Sequence, residues 1–153
     1  MTMDRDIKVV KIGGNIVDNP DALARFLRDF TALEGRKILV HGGGKEATRL
    51  GARLEIPSVM IDGRRVTSRD TLDVVTMVYA GLVNKRIVSQ LQAIGCNAVG
   101  LSGADGDSIR STRRSPQPVD YGYVGDINTD GVNVSLIGSL LDAGLTPVFC
   151  AIT

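Results

Sequence analysis

Short apolar runs rich in β-branched residues recur along the chain and alternate with longer segments of helical spacing. The runs predict strands and lie at residues 6–12, 37–41, 96–102 and 147–152. The segments between them place apolar side chains three and four residues apart, which predicts amphipathic helices. Strands that alternate with helices favour the α/β class, with a mainly parallel open sheet and helices on both faces.

The first long helix has recognisable signals at both ends. Asp18 and Asn19 are candidate caps, Pro20 suits the first turn, and Gly35 suits the end of the helix. Between these signals lies one apolar face, formed by Leu23, Phe26, Leu27, Phe30 and Leu33. We therefore expect a helix over this segment that packs one side on the sheet.

A second long helix is predicted from about residue 68 to residue 94, and Thr67 with Asp70 resembles a capping pair at its start. Its apolar residues fall in two rows, namely Leu72, Val75, Tyr79 and Leu82 in one, and Val74, Met77, Val78 and Gly81 in the other. A helix that is apolar on two sides needs cover on two sides. The sheet is one cover, and the other is either a partner subunit, which predicts a homodimer, or the interior of the same chain.

Two β-hairpin excursions interrupt this alternation. Residues 58–67 read as two short strands about an Asp62-Gly63 turn, and residues 109–126 carry turn signals at Ser115-Pro116 and Tyr121-Gly122.

Composition and charge exclude several classes of partner. The 153 residues fit one domain, and 18 basic against 17 acidic residues give a net charge of +1. This balance gives no electrostatic reason to expect nucleic acid or an anionic membrane. The uncharged stretch 74–84 is too short to span a bilayer. Cys96 and Cys150 lie in apolar contexts that predict buried thiols, and the polar start of the chain shows no signal peptide, so we expect a cytoplasmic location.

Two glycine clusters at the ends of predicted strands carry the clearest chemical signal. Gly13-Gly14 follows the first strand, and Gly42-Gly43-Gly44 follows the second. Glycines in this position let the backbone approach an anion closely and aim N–H groups at it. Tight packing of a strand against a helix explains such glycines equally well, and neither cluster fits the pattern GxxxxGK[ST].

Two cations stand near these predicted turns. Lys11 ends an apolar strand, where a buried ammonium would need an anion, although a lysine there can also reach solvent. Arg65 follows the Asp62-Gly63 turn and could present its guanidinium to a carboxylate, although hairpin arginines are commonly just solvated.

His41, Asp105 and Asp107 have simpler interpretations. We expect a structural role for His41, because a carboxylate nucleophile with a reference pKa of about 4.3 needs no general base at neutral pH. The spacing of Asp105 and Asp107 departs from an EF-hand, so turn formation is favoured and no metal site is predicted.

The chain resembles the amino acid kinase family along nearly its whole length. The motifs that carry this resemblance are KIGGN, VHGGGKE, DGRRVTSRDTLDVV, AGLVNKRIV, VGLSGADG, YVGDI and LLDAGLTPV. The pairing of VHGGG with GRRVT is similar to the branch of the family that acts on N-acylated glutamate in arginine biosynthesis.

The resemblance implies a role for each candidate residue. Lys11 would contact the transferring phosphoryl group beside the Gly13 and Gly14 amides, Gly43 and Gly44 would bind the acylglutamate, and Arg65 would bind its carboxylate. The implied reaction transfers the γ-phosphoryl group of ATP, bound with Mg²⁺, to the side-chain carboxylate of N-acetyl-L-glutamate or a larger N-acylglutamate.

In this family the substrate-binding half precedes a nucleotide-binding half that carries an Asn-x-Asn-Ala-Asp segment and a second lysine. Neither feature occurs in this sequence, so we expect residues 1–153 to be the N-acylglutamate-binding lobe, inactive alone. Two alternatives stay open, a kinase-like regulatory domain of an acylglutamate-forming synthase and a non-catalytic module that binds an acidic ligand.

Overall fold

The computed structural model of the protein describes residues 6–153. In chain order the elements are β1 (Ile7–Ile12), α1 (Gly14–Val17), α2 (Pro20–Ala32), β2 (Arg36–His41), α3 (Gly44–Arg53), β3 (Val59–Ile61), β4 (Arg64–Val66), α4 (Arg69–Thr76), a π-helical segment (Met77–Val83), α5 (Asn84–Ala93), β5 (Ala98–Leu101), β6 (Thr112–Arg113), β7 (Gly125–Asp126), α6 (Val134–Asp142) and β8 (Thr146–Cys150).

The main sheet runs in the order β1-β2-β8-β5, and all neighbouring strands in it are parallel. The last strand of the chain therefore lies between the second strand and β5. Parallel pairing brings the carboxyl ends of β1 and β2 to the same edge, because Ile12 is in register with His41. Both glycine turns leave the sheet at this edge, where ligands bind in open α/β folds.

Helices cover both faces of the sheet, as the sequence predicts. Leu39 and Val148 point to one face and belong to the larger core, which α2, α4 and α5 complete. Ile38 and Phe149, one residue away in each strand, point to the opposite face and pack with Leu141 of α6. This alternation follows from the two-residue period of a strand.

The signals at the ends of α2 act as predicted. The Asn19 side chain accepts a hydrogen bond from the Ala22 amide at 3.0 Å, and Pro20 occupies the first helical position. Gly35 follows the helix with a φ of 81°. The predicted apolar face is confirmed except at its end, because Leu33 lies beyond the last turn and is exposed.

The long helix predicted from residue 68 is present, but its capping residue and its helical geometry differ from the prediction. Its N-cap is Ser68 rather than Thr67, because the Ser68 hydroxyl accepts from the Thr71 amide at 3.2 Å. The helix is α-helical in α4 and α5, and the π-helical segment joins these two parts. At the end of that segment the backbone N–H of Asn84 donates to the carbonyl of Tyr79, five residues earlier in the chain.

This π-helical segment shifts the buried face by one residue. Val74 and Val78 are buried four residues apart, but the next buried residue is Val83, five residues further on. Leu82, which the α-helical spacing groups with Tyr79, is 46% exposed as a result. The π-helical segment therefore explains part of the two-sided apolar pattern in the sequence.

Both predicted excursions are hairpins. In the first, β3 and β4 pair antiparallel about Asp62 and Gly63, whose φ values of 49° and 74° suit a two-residue hairpin turn. In the second, β6 and β7 pair over two residues each. The segment between β6 and β7 contacts the end of the first hairpin, because the backbone amide of Thr67, which follows β4, donates to the Tyr121 carbonyl at 2.8 Å.

Cys96 and Cys150 are free and buried, as predicted. Burial raises the pKa of the Cys150 thiol. No helix among residues 6–153 is long and apolar enough to cross a membrane.

Candidate active site

The two glycine turns form the walls of one crevice. Gly13 and Gly14 follow β1, while Gly43 and Gly44 open α3 immediately after β2. A crevice of about 630 Å³ is lined from one side by Gly13, Gly14, Asn15 and Ile16, and from the other by Gly44, Lys45, Thr48, Met60 and Arg65. The structure thus brings the two predicted turns together, although Gly43 is buried and is not among the residues that line the crevice.

A side-chain bridge joins the two turns. Lys45, in the first turn of α3, donates from Nζ to Oδ1 of Asn15 at 3.0 Å. Both residues are exposed, so their contact spans the mouth of the crevice. The sequence analysis did not single out either residue, because each one alone resembles an ordinary surface residue.

Arg65 borders the crevice and is held by polar groups of the protein. Its Nη2 donates to the Gly44 carbonyl and to Thr48 Oγ1, both at 3.0 Å, and its Nη1 donates to the Ser58 hydroxyl. The side chain is half-buried rather than freely solvated. The guanidinium is therefore fixed beside the backbone of the second glycine turn, with Nε–H and one Nη1 hydrogen outside these three bonds.

Lys11 lies near the first turn but is exposed. Its ammonium would be 3.9 Å from a Cβ placed on Gly13, and Lys11 itself does not line the crevice. The expected cost of a buried ammonium therefore does not apply, and the side chain reaches solvent from the strand end. Only a movement of this flexible side chain would bring the charge between the turns.

Gly43 is a position where a side chain cannot be accommodated. A Cβ there would lie 2.9 Å from Cδ1 of Tyr79 and 3.3 Å from Cγ2 of Val83. The close approach to the long helix thus requires a glycine, which is the packing explanation left open by the sequence. Gly44 has more room, since Tyr79 Oη is 3.8 Å from the corresponding point.

Tyr79 is a site residue that the sequence analysis treated as core. Burial raises the pKa of its hydroxyl, while the positive charge of Arg65 opposes that shift. The hydroxyl therefore keeps its proton at neutral pH. Its only sequence signal was a hydroxylated aromatic residue inside an otherwise apolar helical row.

A larger cavity of about 1040 Å³ adjoins the other side of Arg65. Arg65, Leu72, Val75 and Tyr79 form part of its lining, together with residues of the second hairpin such as Val124. Arg65 thus stands in the wall between the crevice and this cavity.

His41 is buried beneath the second turn, where its ring bonds to Asn84 and to the Gly42 carbonyl. Burial lowers the pKa of His41, and the nearby charge of Lys85 acts in the same direction. The imidazole has a structural role, as predicted, and does not face the crevice.

Asp105 and Asp107 form a turn, as predicted. Asp105 accepts from the Ser102 amide at 2.6 Å and from its hydroxyl at 2.8 Å, and these bonds lower the pKa of the carboxyl. Asp107 pairs with Arg110. Among the described residues there is no group of three or more histidine, cysteine, aspartate or glutamate side chains that could hold a metal ion.

Comparison with known proteins identifies the family of this chain. The pattern of the amino acid kinase family matches residues 6–153. The chain belongs to the amino acid kinase family, which confirms the resemblance seen in its motifs.

Particular relatives narrow the comparison. The chain is 51% identical over 151 residues to the acetylglutamate kinase of Phocaeicola vulgatus, covering 99% of this chain and 58% of the relative. It is 52% identical over 145 residues to the acetylglutamate kinase of Parabacteroides distasonis, covering 95% and 56%. The chain therefore spans a little over half the length of these curated relatives.

Solved structures support the same fold. The chain is similar to smu.665 of Streptococcus mutans UA159 with a TM-score of 0.80 at 25% identity, covering 95% of this chain and 58% of that one. It is also similar to N-acetylglutamate synthase of Neisseria gonorrhoeae with a TM-score of 0.76 at 22% identity, covering 97% and 34%. At that identity the second likeness concerns the fold alone.

Proposed function

We propose that this chain is the substrate-binding lobe of an acetylglutamate kinase, which transfers the γ-phosphoryl group of Mg-ATP to the side-chain carboxylate of N-acetyl-L-glutamate in arginine biosynthesis. The observation that carries this function is the crevice in which two glycine turns and Arg65 converge. The relatives named acetylglutamate kinase, about half identical to this chain, support the same assignment.

In this reaction a carboxylate oxygen attacks phosphorus, the bond from phosphorus to the β,γ-bridging oxygen breaks, and ADP leaves as an acyl phosphate forms. We assign the γ-phosphoryl group to the Gly13 and Gly14 amides. The Lys11 side chain then moves into the crevice and neutralises the charge of this group. Gly43, Gly44 and Arg65 hold the acylglutamate opposite. Such a transfer depends on alignment and charge neutralisation, and the carboxylate is already ionised, so the buried His41 is not needed as a base.

The adenine site and the metal-orienting groups are assigned to the part of the relatives that has no counterpart in this chain. Mg²⁺ is assigned to the substrate complex, Mg-ATP. Free buried thiols at Cys96 and Cys150 suit a reducing cytoplasm.

We also propose that the protein is a homodimer through the outer side of the helix that begins at Arg69. Met77 is 52% exposed and Leu82 is 46% exposed on neighbouring turns of this helix. Apolar side chains grouped in this way mark surfaces that associate. The exposed pair takes one residue from each of the two predicted apolar rows, whose other members Val74, Val75 and Val78 are buried.

An assay of ADP release tests the proposed reaction. The complete protein that carries this chain is expected to release ADP only when both ATP and N-acetyl-L-glutamate are present. Calorimetric titration of the 153-residue chain with N-acetyl-L-glutamate tests the substrate lobe separately. Binding without any turnover by the complete protein would instead favour a regulatory or ligand-binding role, and the absence of both would reject the assignment.

A further inference from the structure

The Tyr79 ring packs against the backbone of the second glycine turn. Its ring lies so close to Gly43 that an added Cβ would meet Cδ1 at 2.9 Å and Cε1 at 3.1 Å. The ring therefore fixes the position of this turn, and no residue larger than glycine fits at position 43. Because Gly43 precedes α3, the same contact sets where the first N–H groups of that helix lie.

The Tyr79 hydroxyl also lies near Arg65. Its oxygen is 3.8 Å from a Cβ placed on Gly44, whose carbonyl accepts from Arg65 Nη2, and both side chains line the larger cavity. The hydrogen bonds of the guanidinium run to Gly44, Thr48 and Ser58, and the tyrosine hydroxyl adds a further polar group near the same cation. A guanidinium held on several sides loses little further freedom when it binds a carboxylate. Tyr79 is thus connected to both groups assigned to the acylglutamate, the glycine turn and Arg65.

The position of Tyr79 on the helix depends on the π-helical segment. Tyr79 lies within that segment and its carbonyl accepts the bond from the Asn84 amide five residues ahead. Wide helical turns of this kind are frequent at functional sites. Here the widened turn lets Tyr79 face the glycine turn while Asn84 faces His41.

We propose that Tyr79 is a positioning residue for the acylated substrate: its hydroxyl orients Arg65 towards the substrate carboxylate, and its ring seats the Gly43–Gly44 backbone. This role rests on the proposed acetylglutamate kinase function. The hydroxyl and the ring make separable contributions, because phenylalanine keeps the ring contact with Gly43 and removes only the hydroxyl near Arg65.

A double-mutant cycle tests the role of the hydroxyl. The wild-type chain, Tyr79→Phe, Arg65→Lys and the double variant are titrated with N-acetyl-L-glutamate by calorimetry, and their melting temperatures are recorded. Tyr79→Phe is expected to raise Kd roughly fivefold with little change in melting temperature, as for the loss of one polar contact to Arg65. In the Arg65→Lys background the same change is expected to have almost no further effect, because the two residues act together. Tyr123→Phe, which removes an exposed hydroxyl, is the matched control and should bind like the wild type.

Each alternative outcome contradicts a specific part of the proposal about Tyr79. An unchanged Kd in Tyr79→Phe would remove the role of Tyr79 while leaving the proposed function intact. A fivefold loss that persists in the Arg65→Lys background would contradict positioning through Arg65. A wild-type chain and complete protein that bind no N-acetyl-L-glutamate would reject the proposed function and the role of Tyr79 with it.

Discussion

The side-chain amide of Asn84 donates a hydrogen bond to Nε2 of His41 across 3.0 Å in the buried interior. The same Nδ2 donates to the Val148 carbonyl at 2.9 Å, and Oδ1 accepts from Lys85 at 3.1 Å, so the amide has one possible orientation. Nε2 of His41 is then an acceptor. Nδ1 carries the proton and donates to the Gly42 carbonyl at 2.8 Å. The long helix thereby fixes the backbone at the start of the second glycine turn.

Asn84→Leu should lower stability strongly, because it removes the buried hydrogen bonds that Asn84 donates to the Val148 carbonyl and to His41 Nε2. Each such loss is costly, so the free energy of unfolding should fall by about 2–4 kcal/mol. Urea denaturation of the 153-residue chain measures this change. Asn128→Ala, at an exposed asparagine, should stay within about 0.5 kcal/mol of the wild type. A small effect at Asn84 would show that the buried network contributes little.

Acid should destabilise the fold through His41. Its pKa is lowered from 6.5 in the folded state, mainly by burial, so the unfolded chain binds the proton more readily. Stability is therefore fully present above about pH 6.5 and declines as the pH falls from there towards the folded pKa. The urea midpoint should decrease between pH 7 and pH 5 in the wild type and much less in His41→Gln. Parallel profiles in both proteins would assign the decline to other groups.

Lys11→Ala in the complete protein should reduce kcat by roughly 10²-fold, because a cation that neutralises the transferring phosphoryl group acts in the transition state. The KM for N-acetyl-L-glutamate should change far less. Steady-state ADP release gives both constants. Lys8→Ala, on the same strand but bonded to the Glu34 carbonyl, is the matched control. Near-normal kcat in Lys11→Ala would show that this lysine stays in solvent throughout the reaction.

Arg65→Lys should weaken N-acetyl-L-glutamate binding roughly tenfold or more, since an ammonium cannot reproduce the planar donor set that reaches three protein oxygens and a carboxylate. Calorimetry of the 153-residue chain measures the affinity. Arg64→Lys, at the exposed neighbouring position, should bind as the wild type does. Equal affinities for the two variants would argue that Arg65 serves only the packing of the hairpin.

Leu82→Glu should dissociate the homodimer, because it places a charge within the exposed apolar patch that also contains Met77. Sedimentation velocity at tens of micromolar should show a dimer for the wild type and a monomer for the variant. Ile94→Glu, at an exposed apolar residue beyond α5, should remain dimeric. A wild-type monomer at these concentrations would refute the proposed dimer.

The features that the sequence predicted correctly are those set by local chemistry. Asn19 caps α2 because its side-chain oxygen accepts from the backbone amide three residues ahead. Asp62 and Gly63 form the hairpin turn because both residues adopt positive φ. The meeting of the two glycine turns also follows from pattern, since parallel strands end at one edge. The family resemblance, carried by these same motifs, is confirmed.

What the sequence did not predict depends on contacts between distant segments. The exposure of Leu82 follows from a widened helical turn, which has no simple signature in a row of apolar residues. Tyr79 becomes part of the site through Gly43 and Arg65, which are distant in the chain. Lys11 is exposed because it lies on the same face of the edge strand β1 as Val9, which is 63% exposed, whereas Ile12 on the opposite face is buried.

The widened turn between Tyr79 and Asn84 places a constraint on the number of residues there, independent of their identity. Removing one residue from positions 80–82 would restore ordinary α-helical spacing. Because the widened turn already accommodates one extra residue, the present Val83 would then follow Val78 by four residues, and Asn84, Ile87 and Leu91 would stay on their present faces. Adding one residue would instead rotate everything that follows by about 100° around the helix axis. Asn84 would then turn away from His41, and Ile87 and Leu91 would leave the core. This stretch therefore tolerates the loss of one residue better than the gain of one.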